Sequence, residues 1–181
     1  MTNLLNDNTV ARWSKKVPLN DIFDLDKIFC PINVSNLHWI LGIIDMTKKE
    51  ILILDSNVED KNTDAVATTN RCAYALFQYL LDEHREKKKI HLPNAFEWKI
   101  ITSSMSANII TNEYNNNTSK STLFPTPQQD NGNDCGVFIC YFATSISVDH
   151  PITSFDLQGY INDTNGRERI ALSILNGKVV L

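Results

Sequence analysis

Residues 37–44 (LHWILGII) and 50–55 (EILILD) are two short, β-branched apolar runs on either side of Asp45-Met46-Thr47-Lys48-Lys49. That pattern predicts an antiparallel hairpin, and 97–102 (EWKIIT) predicts a further strand. Within 69–86, Ala73, Leu76, Phe77, Leu80 and Leu81 recur at the spacing of an amphipathic helix. The Lys87-Lys88-Lys89 run suits its C-terminus, where cations meet the negative pole of the dipole. Residues 135–148 (CGVFICYFATSISV) are apolar nearly all round, which predicts a helix buried in the domain with Asp134 as its N-cap. A last helix is expected over 167–175, stopped by Asn176-Gly177. Strands and helices mix without regular βαβ alternation, so the expected class is α+β.

Length and composition narrow the function classes. The 181 residues suit one domain spanning 1–181, with 112–121 (NEYNNNTSKS) as a polar surface insertion. Seventeen basic residues against 21 acidic ones give a net charge of −4, which argues against a general nucleic-acid binder. No run approaches the ~20 apolar residues of a membrane-spanning helix, and the first ten residues are polar, unlike a secretory signal. Cys30, Cys72, Cys135 and Cys140 form no CxxC pair, so free thiols in a reducing compartment are expected. Together with His38, His84, His91 and His150 they lack zinc-ligand spacing, and no metal or organic cofactor is expected.

Candidate chemistry comes from one hairpin and one helix end. A turn centred between Met46 and Thr47 pairs 44 with 49 and 38 with 55, which sets the His38 imidazole beside the Asp55 carboxylate on one face. Such a carboxylate fixes the tautomer of a catalytic histidine; a structural ion pair at a sheet edge is the plainer alternative. Cys135 opens the apolar helix, where unpaired N–H groups and the dipole favour a thiolate, although a lone cysteine is often structural. Gly136 leaves the adjoining backbone open to a substrate. Cys140, further round and inside the helix, is expected in the core. Gln129, six residues before Cys135, offers an amide donor for an oxyanion hole, or is a solvated loop side chain.

Three segments then resemble the ubiquitin-like-protein-specific (SUMO) protease family: Asn36-Leu37-His38-Trp39, Leu54-Asp55-Ser56 and PQQDNGNDCG at 127–136. Trp13-Ser14-Lys15-Lys16 and Asp24-Leu25-Asp26-Lys27-Ile28-Phe29 are similar to its fungal members. The resemblance implies a papain-like fold with a mostly antiparallel sheet packed on the helix that bears the nucleophile. It implies cleavage after the C-terminal Gly-Gly of SUMO, both in precursors and in conjugates, by a monomeric nuclear enzyme. Cys135 would be the nucleophile, His38 the general base, Asp55 its orienting acid and Gln129 the oxyanion donor. Trp39 matches an aromatic wall of the tunnel that grips the Gly-Gly tail, with core packing as the alternative. The family's Trp-Leu-Asn-Asp motif has no counterpart in 1–11, so an N-terminally incomplete catalytic domain is expected. NEDD8 or ubiquitin as the modifier, and a module that binds SUMO without efficient cleavage, remain open.

Overall fold

In the computed structural model, residues 17, 21–58, 63–103, 126–150, 152 and 166–177 are described; the polar stretch 112–121 lies outside them. Strands β1 (Lys27–Val34), β2 (His38–Asp45) and β3 (Glu50–Leu54) precede the long helix α1 (Thr63–Lys88). Strand β4 (Lys99–Thr102) follows, then helices α2 (Cys135–Ser147) and α3 (Gly166–Asn176). The four strands lie in sequence order in one sheet. β1/β2 and β2/β3 are antiparallel, whereas β3/β4 are parallel and joined through α1, a βαβ unit that the sequence pattern did not announce.

Alternation across the strands sends side chains into two cores. Ile40, Ile44, Ile51 and Ile53 pack with Ala73, Leu76, Tyr79 and Leu80 of α1. On the other face, Leu41, Ile43, Leu52, Leu54 and Ile101 pack with Val137, Phe138, Tyr141 and Phe142 of α2. The sheet is thus buried on both sides, which is why β2 and β3 read as continuous apolar runs rather than as a strict alternation. At Gly42 a Cβ would stand 2.5 Å from Leu76 Cδ1, so the missing side chain lets α1 close onto β2.

Several expectations change in detail. The hairpin register is Asp45↔Glu50 to Leu41↔Leu54, two residues away from the expected 44–49 and 38–55 pairing. A four-residue loop causes the offset: the Asp45 carboxylate accepts from the Lys48 N–H at 2.9 Å, and Lys49 adopts φ 55°. An even offset keeps every side chain on its expected face, whereas a single-residue slip would have reversed it. Strand β1 is new. Pro31 weakens its strand signal, and the structure tolerates that proline because β1 is at the edge of the sheet. The strand expected from 97 starts at Lys99, after a 3-10 turn at Ala95–Glu97. α1 begins at Thr63 rather than 69, with Asp64 in its first turn and the Thr69 hydroxyl donating to the Ala65 carbonyl at 2.9 Å. Its basic last turn and the left-handed Gly177 after α3 (φ 60°) stand where the sequence placed them.

The helix α2 is two-sided rather than apolar core all round. Cys135, Val137, Phe138, Tyr141, Phe142 and Ser145 are buried, while Ile139, Cys140 and Ala143 are half-buried on its other side. Cys140 is therefore not a full core residue, because it lies on the side of α2 turned away from the sheet. Phe142 is fully buried and meets the Phe138 ring edge-on, with centroids 5.9 Å apart. Phe142→Ala should cost about 3–5 kcal/mol in denaturant unfolding through cavity formation, whereas Ile174→Ala, at a side chain 76% exposed in α3, should change stability by less than about 0.5 kcal/mol.

Candidate active site

A tight turn delivers the histidine. Ser35 and Asn36 take left-handed backbone angles (φ 54° and 59°), the Leu37 N–H donates to the Val34 carbonyl at 3.0 Å, and His38 opens β2 opposite Val34. Asp55 is the first residue past β3, beyond the last β2/β3 pair. Its N–H donates to Ser103 Oγ at 2.8 Å and its carbonyl accepts from Gln128 Nε2 at 3.1 Å. With the backbone tied on both sides, the carboxylate is 5% exposed and Oδ1 has two partners: the Asn57 N–H at 2.8 Å and His38 Nε2 at 2.7 Å. A buried carboxylate requires donors, so Asp55 holds His38 as the Nε2–H tautomer or as imidazolium, and Nδ1 is left to face away from it.

The third member stands at the start of α2. Cys135 is buried, and it lies near enough to His38 to influence the imidazole's titration. The hydrogen bond to Asp55 is the largest cause holding His38 above the ordinary histidine value of 6.5. Burial opposes it, while the Asp55 charge and the neighbouring Cys135 add to it. The remaining thiols are different in kind. Burial pushes Cys30 up to about 11 and also raises Cys72 and Cys140, which keeps all three protonated at neutral pH. Among the four cysteines, Cys135 alone has the imidazole.

The loop before Cys135 is built differently from the expectation in one respect. Asp134 supplies the backbone carbonyl for the first helical bond, from the Phe138 N–H at 2.9 Å, but its side chain does not cap the helix. Its carboxylate is drawn outward instead, to Arg167 at 2.6 Å and Asn131 Nδ2 at 2.7 Å, and both partners hold its pKa below the usual carboxylate value. Asn131 Oδ1 accepts from the N–H groups of Asn133 and Asp134, a side-chain turn that folds 131–134 compactly. Among the described residues, a Cβ at Gly136 would meet nothing within 4 Å beyond its own stretch of helix, so the backbone beside Cys135 is bare on that side. Trp39 is 39% exposed and on the surface next to His38, which removes core packing as its explanation.

Gln129 is brought to this site through the end of β3. Its N–H donates to the Ser56 carbonyl at 2.7 Å, and its Oε1 accepts from Ser56 Oγ at 2.8 Å. Its Nε2 donates to the Asn131 carbonyl. The side chain's hydrogen bonds thus go to Ser56 and Asn131 rather than to Cys135. Gln128 holds the same two segments together, its Oε1 accepting from the Val58 N–H at 2.7 Å. Ser56, Ser103, Gln128 and Arg167 are the supporting residues that sequence reasoning did not single out. Only Ser56 and Gln128 carried a signal, as neighbours of Asp55 and Gln129. The Ser103 and Arg167 contacts join residues 48 and 33 apart, with no pattern to reveal them.

Comparisons with known proteins point to one family. The profile of the Ulp1 protease family, C-terminal catalytic domain, matches residues 6–168. Sentrin-specific protease 2 of Homo sapiens is 35% identical over 80% of this chain, and ubiquitin-like-specific protease 1 of Saccharomyces cerevisiae 31% identical over 84%. The chain spans 19% of the length of each of these relatives. A solved structure of the SUMO protease Ulp1, with its catalytic cysteine oxidised to a sulfonic acid, superposes with a TM-score of 0.53 at 30% identity. That match covers 80% of this chain and 52% of the other. The C-terminal Ulp1 protease domain in complex with Smt3, the yeast ortholog of SUMO, gives 0.52 at 28% identity, covering 80% and 51%. Fold, sequence profile and relatives coincide, and the chain belongs to the Ulp1 protease family.

Proposed function

We propose that this chain is a cysteine protease that cleaves after the C-terminal Gly-Gly of SUMO or a related ubiquitin-like protein, in precursors and in lysine conjugates. The observation that carries the proposal is the imidazole of His38, fixed by a buried carboxylate at 2.7 Å and lying near the helix-opening thiol of Cys135, which adds to the rise in its pKa. The named activities of the relatives and the Smt3 complex of the Ulp1 domain support the choice of modifier.

The geometry supports acyl transfer. His38 takes the Cys135 proton, and the resulting thiolate attacks the carbonyl carbon of the terminal glycine. Negative charge passes to the carbonyl oxygen, where the Cys135 N–H and a Gln129 amide N–H would receive it. The tetrahedral adduct collapses, the C–N bond breaks, and imidazolium gives its proton to the departing lysine amine. A water molecule, deprotonated by His38, then attacks the thioester and releases the modifier's carboxylate with the Cys135 thiol restored. Trp39 would flank the incoming tail, and Gly136 leaves room for its backbone. A passage narrow enough for glycine alone selects that tail by excluding side chains.

A SUMO probe ending in a C-terminal electrophile should label this protein at one site, and Cys135→Ser should abolish the adduct on intact mass measurement. Labelling of Cys30, Cys72 or Cys140 in place of Cys135 would refute the assignment. Asp55→Asn should lower kcat on SUMO–aminomethylcoumarin by about 10²–10⁴-fold, because the imidazole loses its tautomer and its counter-charge.

The raised His38 pKa has a signed consequence for activity and for stability. Imidazolium beside Asp55 persists above the ordinary value of 6.5, so the alkaline limb of kcat/KM should lie above that value and move down in Asp55→Asn. In unfolding, this pair's contribution is fully present below the unfolded pKa and is lost as pH rises through the raised folded value. His38→Ala should therefore flatten the decline of unfolding free energy above pH ~6.5, read from denaturant melts across pH.

A further inference from the structure

An oxyanion donor made from a glutamine side chain has a built-in ambiguity. Its amide has a carbonyl end and an NH₂ end of nearly the same shape, and rotation by half a turn exchanges them. Only the NH₂ end stabilises a developing oxyanion; the carbonyl end repels it. Some group must therefore decide which way the amide of Gln129 faces.

Ser56 is placed to do so. It is 1% exposed and holds Gln129 by two bonds, its carbonyl accepting from the Gln129 N–H and its hydroxyl donating to Gln129 Oε1 at 2.8 Å. The backbone bond fixes where the side chain starts, and the hydroxyl bond holds the carbonyl end of the amide. A flipped amide could still donate to that hydroxyl, but it would set its carbonyl oxygen against the Asn131 carbonyl, so the two bonds together select the orientation. On the opposite side, the Asn131 carbonyl accepts one of the two Nε2 hydrogens, which again requires the NH₂ end to lie there. The second hydrogen remains for substrate. Ser56 also follows Asp55 directly, so one short stretch after β3 orients both the general base and the oxyanion donor.

We propose that Ser56 is a positioning residue for acyl transfer, acting through Gln129 by fixing the orientation of its amide. The proposal rests on the acyl-transfer reading of the site, in which Gln129 is the oxyanion donor. The experiment is a double-mutant cycle on SUMO–aminomethylcoumarin, with iodoacetamide alkylation of Cys135 measured in parallel. Alkylation forms no oxyanion, so it reports the His38–Cys135 couple alone. Gln129→Ala should lower kcat by about 100-fold and Ser56→Ala by about 10-fold, with KM within about two-fold and an unchanged alkylation rate at Cys135. In the Gln129→Ala background, Ser56→Ala should have no further effect. A Ser56→Ala loss that persists in full in that background, or a parallel fall in alkylation, would show a merely structural role and overturn the proposal, as would a wild-type kcat for Ser56→Ala. Wild-type kcat for Gln129→Ala would instead overturn the oxyanion reading beneath it.

Discussion

Asp55 imposes the constraint on which the site depends. A carboxylate 5% exposed must be surrounded by donors, because an unpaired charge in that position would cost several kcal/mol. The fold meets the requirement with the Asn57 N–H and with His38, and anchors the Asp55 backbone through Ser103 and Gln128. Orientation of the imidazole follows from that solvation demand. The carboxylate needs the Nε2 hydrogen, so the other ring nitrogen is the one that faces away from Asp55.

The elements around Asp55 divide the work. The sheet, closed on both faces, makes the ends of β2 and β3 rigid, and the left-handed Ser35-Asn36 turn sets His38 at the first position of β2. α2 packs its sheet-facing side on Leu41, Ile43, Leu52 and Leu54, which draws its first residue, Cys135, to the same edge. The loop 126–134 bridges the two, bonded to Ser56 and Val58 at one end and to Arg167 of α3 at the other. Three separate stretches of chain thereby converge on a space that Gly136 leaves bare. Burial also separates the thiols: it raises Cys30, Cys72 and Cys140 and holds them protonated, whereas Cys135 stands near the His38 imidazole.

The hairpin shows how a sequence argument can hold although its details shift. A two-residue turn at Met46-Thr47 was expected, but Asp45 caps a longer loop and moves the register by two. The His38–Asp55 contact survives because period-two alternation preserves the face under an even shift, and because an imidazole and a carboxylate reach across a diagonal. Asp134 shows the reverse: its identity fits an N-cap, yet Arg167, 33 residues away, competes for the carboxylate and wins. Local propensity yields there to a charged partner that only the folded chain supplies.

By itself, the order of residues determined the α+β class, the extents of β2, β3 and α2 to within a residue or two, and the His38–Asp55 contact. Those readings rest on short-range physics: side-chain alternation, helical period, turn chemistry and the spacing of reactive groups. The tertiary structure decided the rest. The edge strand β1 with its Pro31, the parallel β3/β4 pairing through α1, the outward pull on Asp134, and the Ser103 and Ser56 bonds behind Asp55 and Gln129 all join residues far apart in the chain. Long-range pairs of this kind leave no periodic trace, because they arise only when packing of the two cores brings the segments together.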